Sequence, residues 1–334
     1  MPLEILKPGL LSTIQDLGRY GYQKDGIIVS GAMDVVAHRI ANILVGSPED
    51  AATIEATLIG PTLRFTTPAL IAITGGNLSP EINGEAMGMW RPVYAAAGSI
   101  LSFQKPVTGC RTYVAVAGGF AIPEVLKSQS TYLRAGLGGY QGRALQTGDL
   151  IPLNEPADTI PEELKLQQNH TSFTQTTWAL APQLYYTSEE QPTIRAVHGP
   201  EYDLFSETSK TDIWEKEFQV TMQSDRMGYR LSGATLALSE PAELISSAVT
   251  FGTIQVPAEG NPIILMADHQ TTGGYPRIAQ VITADLPKLA QVQPGKIIRF
   301  QEVTLEQAQQ LYIQQELNIQ KIKWAVHNKT HHTS

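Results

Sequence analysis

The chain has a single cysteine, Cys110, among its 334 residues. That excludes an intrachain disulfide and any zinc site built from several thiolates. Charge is also sparse: Asp, Glu, Lys and Arg together make up 17%, and acids outnumber bases to give a formal net charge of −8. A general nucleic-acid binder needs a surplus of Lys and Arg to displace counterions from phosphates, and here no run of such residues exceeds a pair. Long apolar runs are missing as well. Ala69 to Thr74 and Val93 to Ala97 are strand-sized and far too short to span a bilayer. The start, Met1-Pro2-Leu3-Glu4, lacks the basic residues and apolar stretch of a signal peptide, so a cytoplasmic protein without membrane contact is expected. Gly-x-Ser-x-Gly, His-Glu-x-x-His and Gly-x4-Gly-Lys-Ser/Thr are all absent, which removes the common hydrolase elbow, the zinc-protease helix and the P-loop. No metal site is expected.

What is present is apolar and turn-rich: 42% hydrophobic residues, 28 Gly and 21 Pro, the balance of a packed globular protein. Over the first 153 residues short β-type runs alternate with Gly, Pro, Asn and Asp. Leu70-Ile71-Ala72-Ile73-Thr74 stops at Gly75-Gly76, Thr112 to Ala117 stops at Gly118-Gly119, and Ile82-Asn83-Gly84-Glu85 carries the Asn-Gly pair of a tight hairpin. One amphipathic helix is predicted over Val35–Val45, opened by Asp34 as N-cap and closed by Gly46, with Val36, Ile40, Ile43 and Leu44 on its apolar face. From Asn154 to Pro192 periodicity is lost, and we read a linker with room for one short strand. Strand texture returns at Thr193 and persists to Phe300. A polar helix is predicted over Leu305–Trp324 with Leu311, Leu317, Ile319 and Ile322 apolar, then a frayed tail carrying His327, His331 and His332. The expected domains are therefore 1–153, a linker over 154–192, 193–303, and a C-terminal helix and tail over 304–334.

The two halves echo one another. Ser30 to Met33 is answered by Ser224 to Met227, Gly60 to Leu63 by Gly252 to Gln255, Leu70 to Thr74 by Ile263 to Ala267, and Gly98 to Phe103 by Gly295 to Phe300. The shifts of 194, 192, 193 and 197 positions, by subtraction of the first residue in each block, are nearly constant and in order, as two copies of one β-rich unit require. Chance similarity of short apolar strands is the alternative.

Four segments combine turn residues with reactive side chains, the composition of loops mounted on a sheet. In the first, Ser12 to Gly21 with Val29 to Asp34, Asp16 and Arg19 are placed to pair, and Ser30 and Met33 sit where free helix N–H groups could receive an anion. Capping by Asp34 explains the same residues with no ligand. The second, Ser128 to Gly139, brings Ser130, Thr131, Tyr132 and Arg134 beside three glycines, which suits a carboxylate or phosphate and equally a tight structural loop. The third, Gln223 to Leu231, sets Arg226 and Arg230 near Tyr229, either as a surface ion-pair network or as a bidentate grip on a planar anion. The fourth, Ala267 to Pro276, follows a buried strand and presents His269, Gln270, Thr271 and Thr272 at its end, where a histidine can exchange a proton near neutral pH.

Taken in order, Gly9 to Arg19, Val29 to Asp34, Ser130 to Gly136, Ser224 to Leu231 and Gln270 to Pro276 resemble the signatures of the allophanate hydrolase subunit 2 family, which includes the C component of 5-oxoprolinase, and the resemblance runs from about Leu3 to Phe300. It implies a mainly β fold of two cyclophilin-like β-barrel halves. It also implies action with two partners, the A and B components, of which B has a related fold, in an ATP-driven opening of the 5-oxoproline lactam to glutamate. ATP is implied by the family alone, and a partner chain could bind it. Biotin enters only from another chain, because no Ala-Met-Lys-Met sequence is present. Carboxyl transfer to urea and a non-catalytic antagonist of a kinase inhibitor are the other activities the resemblance allows. On this reading one polar cleft holds His269, Arg226 and Tyr229 as catalytic residues. Ser30, Met33, Ser130, Thr131, Tyr132, Arg134, Gln270, Thr271 and Thr272 then bind substrate.

Overall fold

The computed structural model describes residues 2–155, 164, 172–181 and 191–331. Most of the expected linker and the last tail histidine, His332, lie outside them. The described residues fall into two compact units: one draws on Met1–Arg19, Ser30–Leu184 and Leu317–Ser334, the other on Tyr20–Val29 and Tyr185–Glu316.

The first unit builds two six-stranded sheets. One runs β11 (Leu150–Pro152), β1 (Pro2–Lys7), β4 (Thr62–Phe65), β9 (Ile100–Phe103), β6 (Pro80–Ile82), β7 (Glu85–Ala86). The other runs β12 (Phe173–Gln175), β8 (Val93–Ala95), β5 (Ala69–Asn77), β10 (Thr108–Val116), β3 (Thr53–Thr57), β2 (Leu11–Gln15). Strand alternation supplies a shared interior. Leu3, Ile5, Leu63, Phe65 and Leu101 from the first sheet meet Ile54, Ile71, Ile73, Val93, Val114 and Val116 from the second in one buried cluster. β5 is buried on both faces, because helix α1 (Val35–Leu44) covers the side that Leu70, Ala72 and Thr74 present. Thr74 Oγ1 donates to the carbonyl of Ala37 on that helix at 2.7 Å. Asp34 caps α1 as expected, accepting from Ala37 N at 2.9 Å, and Gly46 follows its end in the left-handed region. The Asn-Gly hairpin is also present: Asn83 and Gly84 both take positive φ between β6 and β7, as a type I′ turn requires.

The second unit closes a seven-stranded barrel: β13 (Thr193–His198), β20 (Arg277–Val281), β17 (Thr253–Gln255), β18 (Ile263–Leu265), β15 (Gly228–Gly233), β14 (Glu217–Val220), β21 (Ile297–Glu302). Of its strand pairs only the closing one, β13 with β21, is parallel. Ile194, Phe218, Val220, Tyr229, Leu231, Ile254, Ile264, Ile298 and Phe300 are buried along these strands at alternate positions, the pattern of a barrel filled by side chains. A two-residue ribbon, β16 (Ser247–Ala248) with β19 (Thr272–Gly273), stands apart from the barrel.

Three helices complete the described chain, and two of them correct the expectation of unbroken strand texture: α2 (Glu207–Glu215) and α3 (Leu286–Ala290). α2 is capped by Ser206 but buries only Ser209 and Ile213, so it has almost no apolar period to detect. The last helix, α4, runs Leu305–His331, well past Trp324, so it takes in most of the expected tail, whose last three residues lie outside the described residues. Among the described residues no helix is long and apolar enough to cross a membrane.

Three of the echoed blocks fall on strands in both halves. Gly98 and Gly295 each hold a positive-φ turn just before β9 and β21. Their neighbours differ, however: β4 pairs with β9, whereas β17 pairs with β18 and β20. The echo follows strand order along the chain, not strand order within the sheets.

α1 carries a histidine inside the fold. His38 is fully buried; its Nδ1 lies 2.9 Å from Thr53 Oγ1 and its Nε2 3.4 Å from the amide nitrogen of Asn42. An amide nitrogen only donates, so Nε2 accepts and Nδ1 carries the proton. Burial lowers its pKa from 6.5 to about 4, against the opposing pull of Asp16 and Glu55. The unfolded chain then takes up a proton near 6.5 that the folded chain refuses until about 4. Stability from this site is complete above pH 6.5 and is lost as pH falls through that window, at about 1.4 kcal/mol per pH unit. Urea unfolding at pH 7 and pH 5 is expected to show about 2 kcal/mol more loss in the native chain than in His38→Gln. Equal losses in the two proteins would refute a neutral buried His38.

Candidate functional site

In the first unit the loop chemistry is organised by Asp16. Its carboxylate accepts from Gly18 N at 2.7 Å, Ser128 Oγ at 2.8 Å, Gln129 N at 2.5 Å and the Ser130 hydroxyl. Asp16 N in turn donates to Ser130 Oγ at 3.0 Å. Arg19, with no exposed surface, donates to the carbonyl of the same Ser130. The expected meeting of Asp16 and Arg19 therefore runs through Ser130. Thr131 is equally occupied: its N–H and hydroxyl both donate to Ile14 O at 2.9 Å, while its carbonyl accepts from Gln15 Nε2 and Ser30 Oγ. Ser130 and Thr131 have no exposure, and their hydroxyls stitch two loops together.

The glycines nearby have the same purpose. A Cβ at Gly138 would strike Ser130 O and Arg19 Nη2, and one at Gly139 would strike the Thr131 hydroxyl. The close approach that glycine permits here is loop against loop, not loop against phosphate. Ser30 takes φ 58° and is buried, and Met33 has no exposed surface. Met33 N donates to Glu55 Oε2 at 2.8 Å, which Tyr113 also reaches at 2.7 Å, and Tyr113 Oη accepts from Asp34 N. The N–H groups expected to await an anion are thus held by a resident carboxylate and a phenol. Glu55 and Tyr113 carried no sequence signal beyond an acid and a ring within strands. Of the residues expected on this loop, Tyr132 is half-buried and Arg134 is exposed.

In the second unit Arg226 and Asp268 form a buried bidentate pair, Nε to Oδ2 at 2.9 Å and Nη2 to Oδ1 at 3.0 Å. The backbone repeats the connection, with Asp268 N donating to Arg226 O and Met266 N to Met227 O. Arg226 therefore joins the two turns at one end of β15 and β18, and a resident acid already fills the place of the expected anion. Asp268, adjacent to His269, was missed as its partner. Tyr229 is an inward position of β15, 1% exposed, and its hydroxyl donates to Val292 O at 3.4 Å. Arg230, the next residue outward, is exposed.

His269 is 8% exposed and held by one ring nitrogen, Nδ1, 2.6 Å from Gln270 O. A carbonyl only accepts, so Nδ1 bears the proton and Nε2 presents its lone pair. Among the described residues none bonds Nε2. Burial lowers the pKa of His269, although the Gln270 carbonyl and Asp268 favour the charged ring. The side chain is therefore a neutral base at pH 7. Gln270 and Thr272 are exposed and Thr271 partly so, and the β16–β19 ribbon fixes Thr272. Thus His269, Gln270, Thr271 and Thr272 form one polar turn after β18, supported by the Arg226–Asp268 pair. Among the described residues no cluster of three or more His, Cys, Asp or Glu could hold a metal ion.

Removing one member of a buried pair strands the other's charge, at a cost of about 3–5 kcal/mol. Arg226→Ala and Asp268→Ala are each expected to lose that much in urea unfolding, and the double variant clearly less than their sum. Additive losses would show that the two side chains do not depend on each other.

The chain matches the family described as carboxyltransferase domain, subdomain A and B, over residues 25–302. It is 38% identical over 327 residues to the C component of 5-oxoprolinase from Escherichia coli (strain K12), covering 98% of this chain and 99% of that one. The corresponding Haemophilus influenzae protein is 39% identical over the same length, with the same coverage. Among solved structures, K. lactis urea amidolyase is similar with a TM-score of 0.86 at 31% identity, over 96% of this chain and 20% of that one. With five-sixths of its length matched by the family and whole-length relatives near 40% identity, the chain belongs to the carboxyltransferase domain (subdomain A and B) family.

Proposed function

We propose that this chain serves as the C component of a 5-oxoprolinase, working with the A and B components to open 5-oxoproline to glutamate at the expense of ATP. The observation that carries the reading is the likeness to the E. coli protein, which extends along 98% of this chain and 99% of that one. The reading also places the chain in the cytoplasm, where ATP is supplied.

The net change is hydrolysis of the lactam C–N bond coupled to hydrolysis of ATP to ADP and phosphate: one water oxygen joins the carbonyl carbon and its proton goes to the departing nitrogen, while a second water is consumed in cleaving ATP. A neutral histidine suits both proton transfers at the lactam. Nε2 of His269 takes the water proton and returns it to the amine as the bond breaks. Gln270, Thr271 and Thr272 offer an amide and two hydroxyls to orient the lactam. Arg226 acts as a positioning residue through Asp268, whose backbone leads directly into His269. Among the described residues the glycine-dense loop at 136–142 is packed on itself and on Ser130, Thr131 and Arg19, so it offers no cradle to a nucleotide phosphate. We therefore assign ATP to a partner chain. Carboxyl transfer with biotin supplied in trans is the second reading, favoured by the likeness to urea amidolyase.

Mixing the chain with candidate A and B components should give ATP-dependent glutamate from 5-oxoproline, with no glutamate when any one is omitted. His269→Gln in that mixture should lower kcat by about 10²–10⁴ while the three chains still associate. Because burial lowers the pKa of His269, the acid limb of kcat/KM should fall below the ordinary 6.5. ATP hydrolysis without glutamate would redirect the search to another amide. Activity within a factor of about three of wild type in both Arg226→Ala and His269→Ala would remove this turn from the mechanism.

A further inference from the structure

The last helix carries an apolar stripe on its outer side. Ile319, Ile322 and Val326 of α4 are buried, at 0%, 7% and 4% exposure, and define its inner face. At about 100° per residue, Ile313, Leu317, Gln320 and Trp324 line up on nearly the opposite side. The three apolar members are 57%, 51% and 70% exposed, the reverse of what their size favours. With Gln320 included, the four positions are spaced four, three and four residues apart, as in a two-helix seam.

The stripe is symmetric about the midpoint between Asn318 and Ile319. In an antiparallel pair of identical helices Ile313 meets Trp324 of the other copy, and Leu317 meets Gln320. Large faces small at the ends, and the one polar position lies next to the centre. Charge follows the same symmetry. The first half of α4 carries only acids, Glu306 and Glu316, and the second half only bases, Lys321, Lys323 and Lys329. Antiparallel pairing sets each half against its opposite, whereas parallel pairing sets like against like. On one flank Glu316 falls beside Lys323 of the second copy. Within its own chain Lys323 bonds Glu49 at 2.8 Å and stays 56% exposed.

We infer that α4 pairs antiparallel with α4 of a second copy of this chain through Ile313, Leu317, Gln320 and Trp324, forming a two-fold dimer. Sedimentation equilibrium of the full chain alone at about 100 µM, where a small interface associates, should show a species of twice 36.4 kDa. Trp324→Glu should return it to monomer with an unchanged circular dichroism spectrum. Gln320→Leu, which makes the seam fully apolar, should tighten the dimer at least tenfold, and because it adds a contact it tests the idea even if Trp324→Glu misfolds. A chain that stays monomeric in both wild type and Gln320→Leu would overturn the inference. So would a dimer indifferent to both substitutions. A complex with candidate A or B components that Trp324→Glu abolishes, with no self-association, would assign the face to a different partner and overturn it as well.

Discussion

Buried carboxylates surrounded by donors hold the irregular parts of this molecule to its strands. Asp16 is the clearest case: four donors from residues 18, 128, 129 and 130 converge on one side chain. An ionised acid that leaves water must recover its hydration from fixed dipoles or cations. Once it does, every segment that contributes a donor is fixed relative to the others. Glu55 does this for the entry to α1, through Met33 N and Tyr113. Arg–carboxylate pairs do it elsewhere: Arg226 with Asp268, Arg195 with Asp285, Arg277 with Glu201, Arg143 with Asp149. These four pairs take eight of the chain's 56 charged side chains for anchoring.

That economy bears on how polar loop residues are read from sequence. A Ser, Thr or Arg in a glycine-rich loop has the same appearance in sequence whether its polar atoms face a ligand or a neighbouring loop. Ser130, Thr131 and Arg226 proved to face neighbours, because an acid remote in sequence, or a remote carbonyl, was already there to receive them. Tyr229 is buried for a simpler reason: period-two alternation in β15 places it inward with Leu231, and Arg230 outward.

Much of the scaffold was legible. Asp34 and Gly46 bracket α1, Asn83-Gly84 forms its hairpin, and β-branched runs became strands where Gly or Pro bounded them. These signals act over a few residues, so sequence alone carries them. The polar helix α2 was not legible, because capping by Ser206 and two buried residues leave no apolar stripe. The length of α4 was missed at its end, where Val326 is buried four residues beyond Ile322 in a stretch whose composition resembles a tail. The membership of Tyr20–Val29 in the second unit is likewise a long-range property that local composition cannot express.

Among the described residues two histidines, His38 and His269, are buried, and the same physical effect acts on both. Desolvation keeps both His38 and His269 neutral. His38 has partners at both ring nitrogens, Thr53 and Asn42, so its neutrality only secures α1 against its sheet. His269 has Nδ1 fixed by the carbonyl of Gln270, and no described residue bonds Nε2. Orientation and tautomer are thereby set while the lone pair stays available, which is what a base requires before substrate arrives. Burial alone would not have distinguished them. The distinction lies in the second nitrogen, and it is the feature of the turn after β18 on which the proposal for His269 rests.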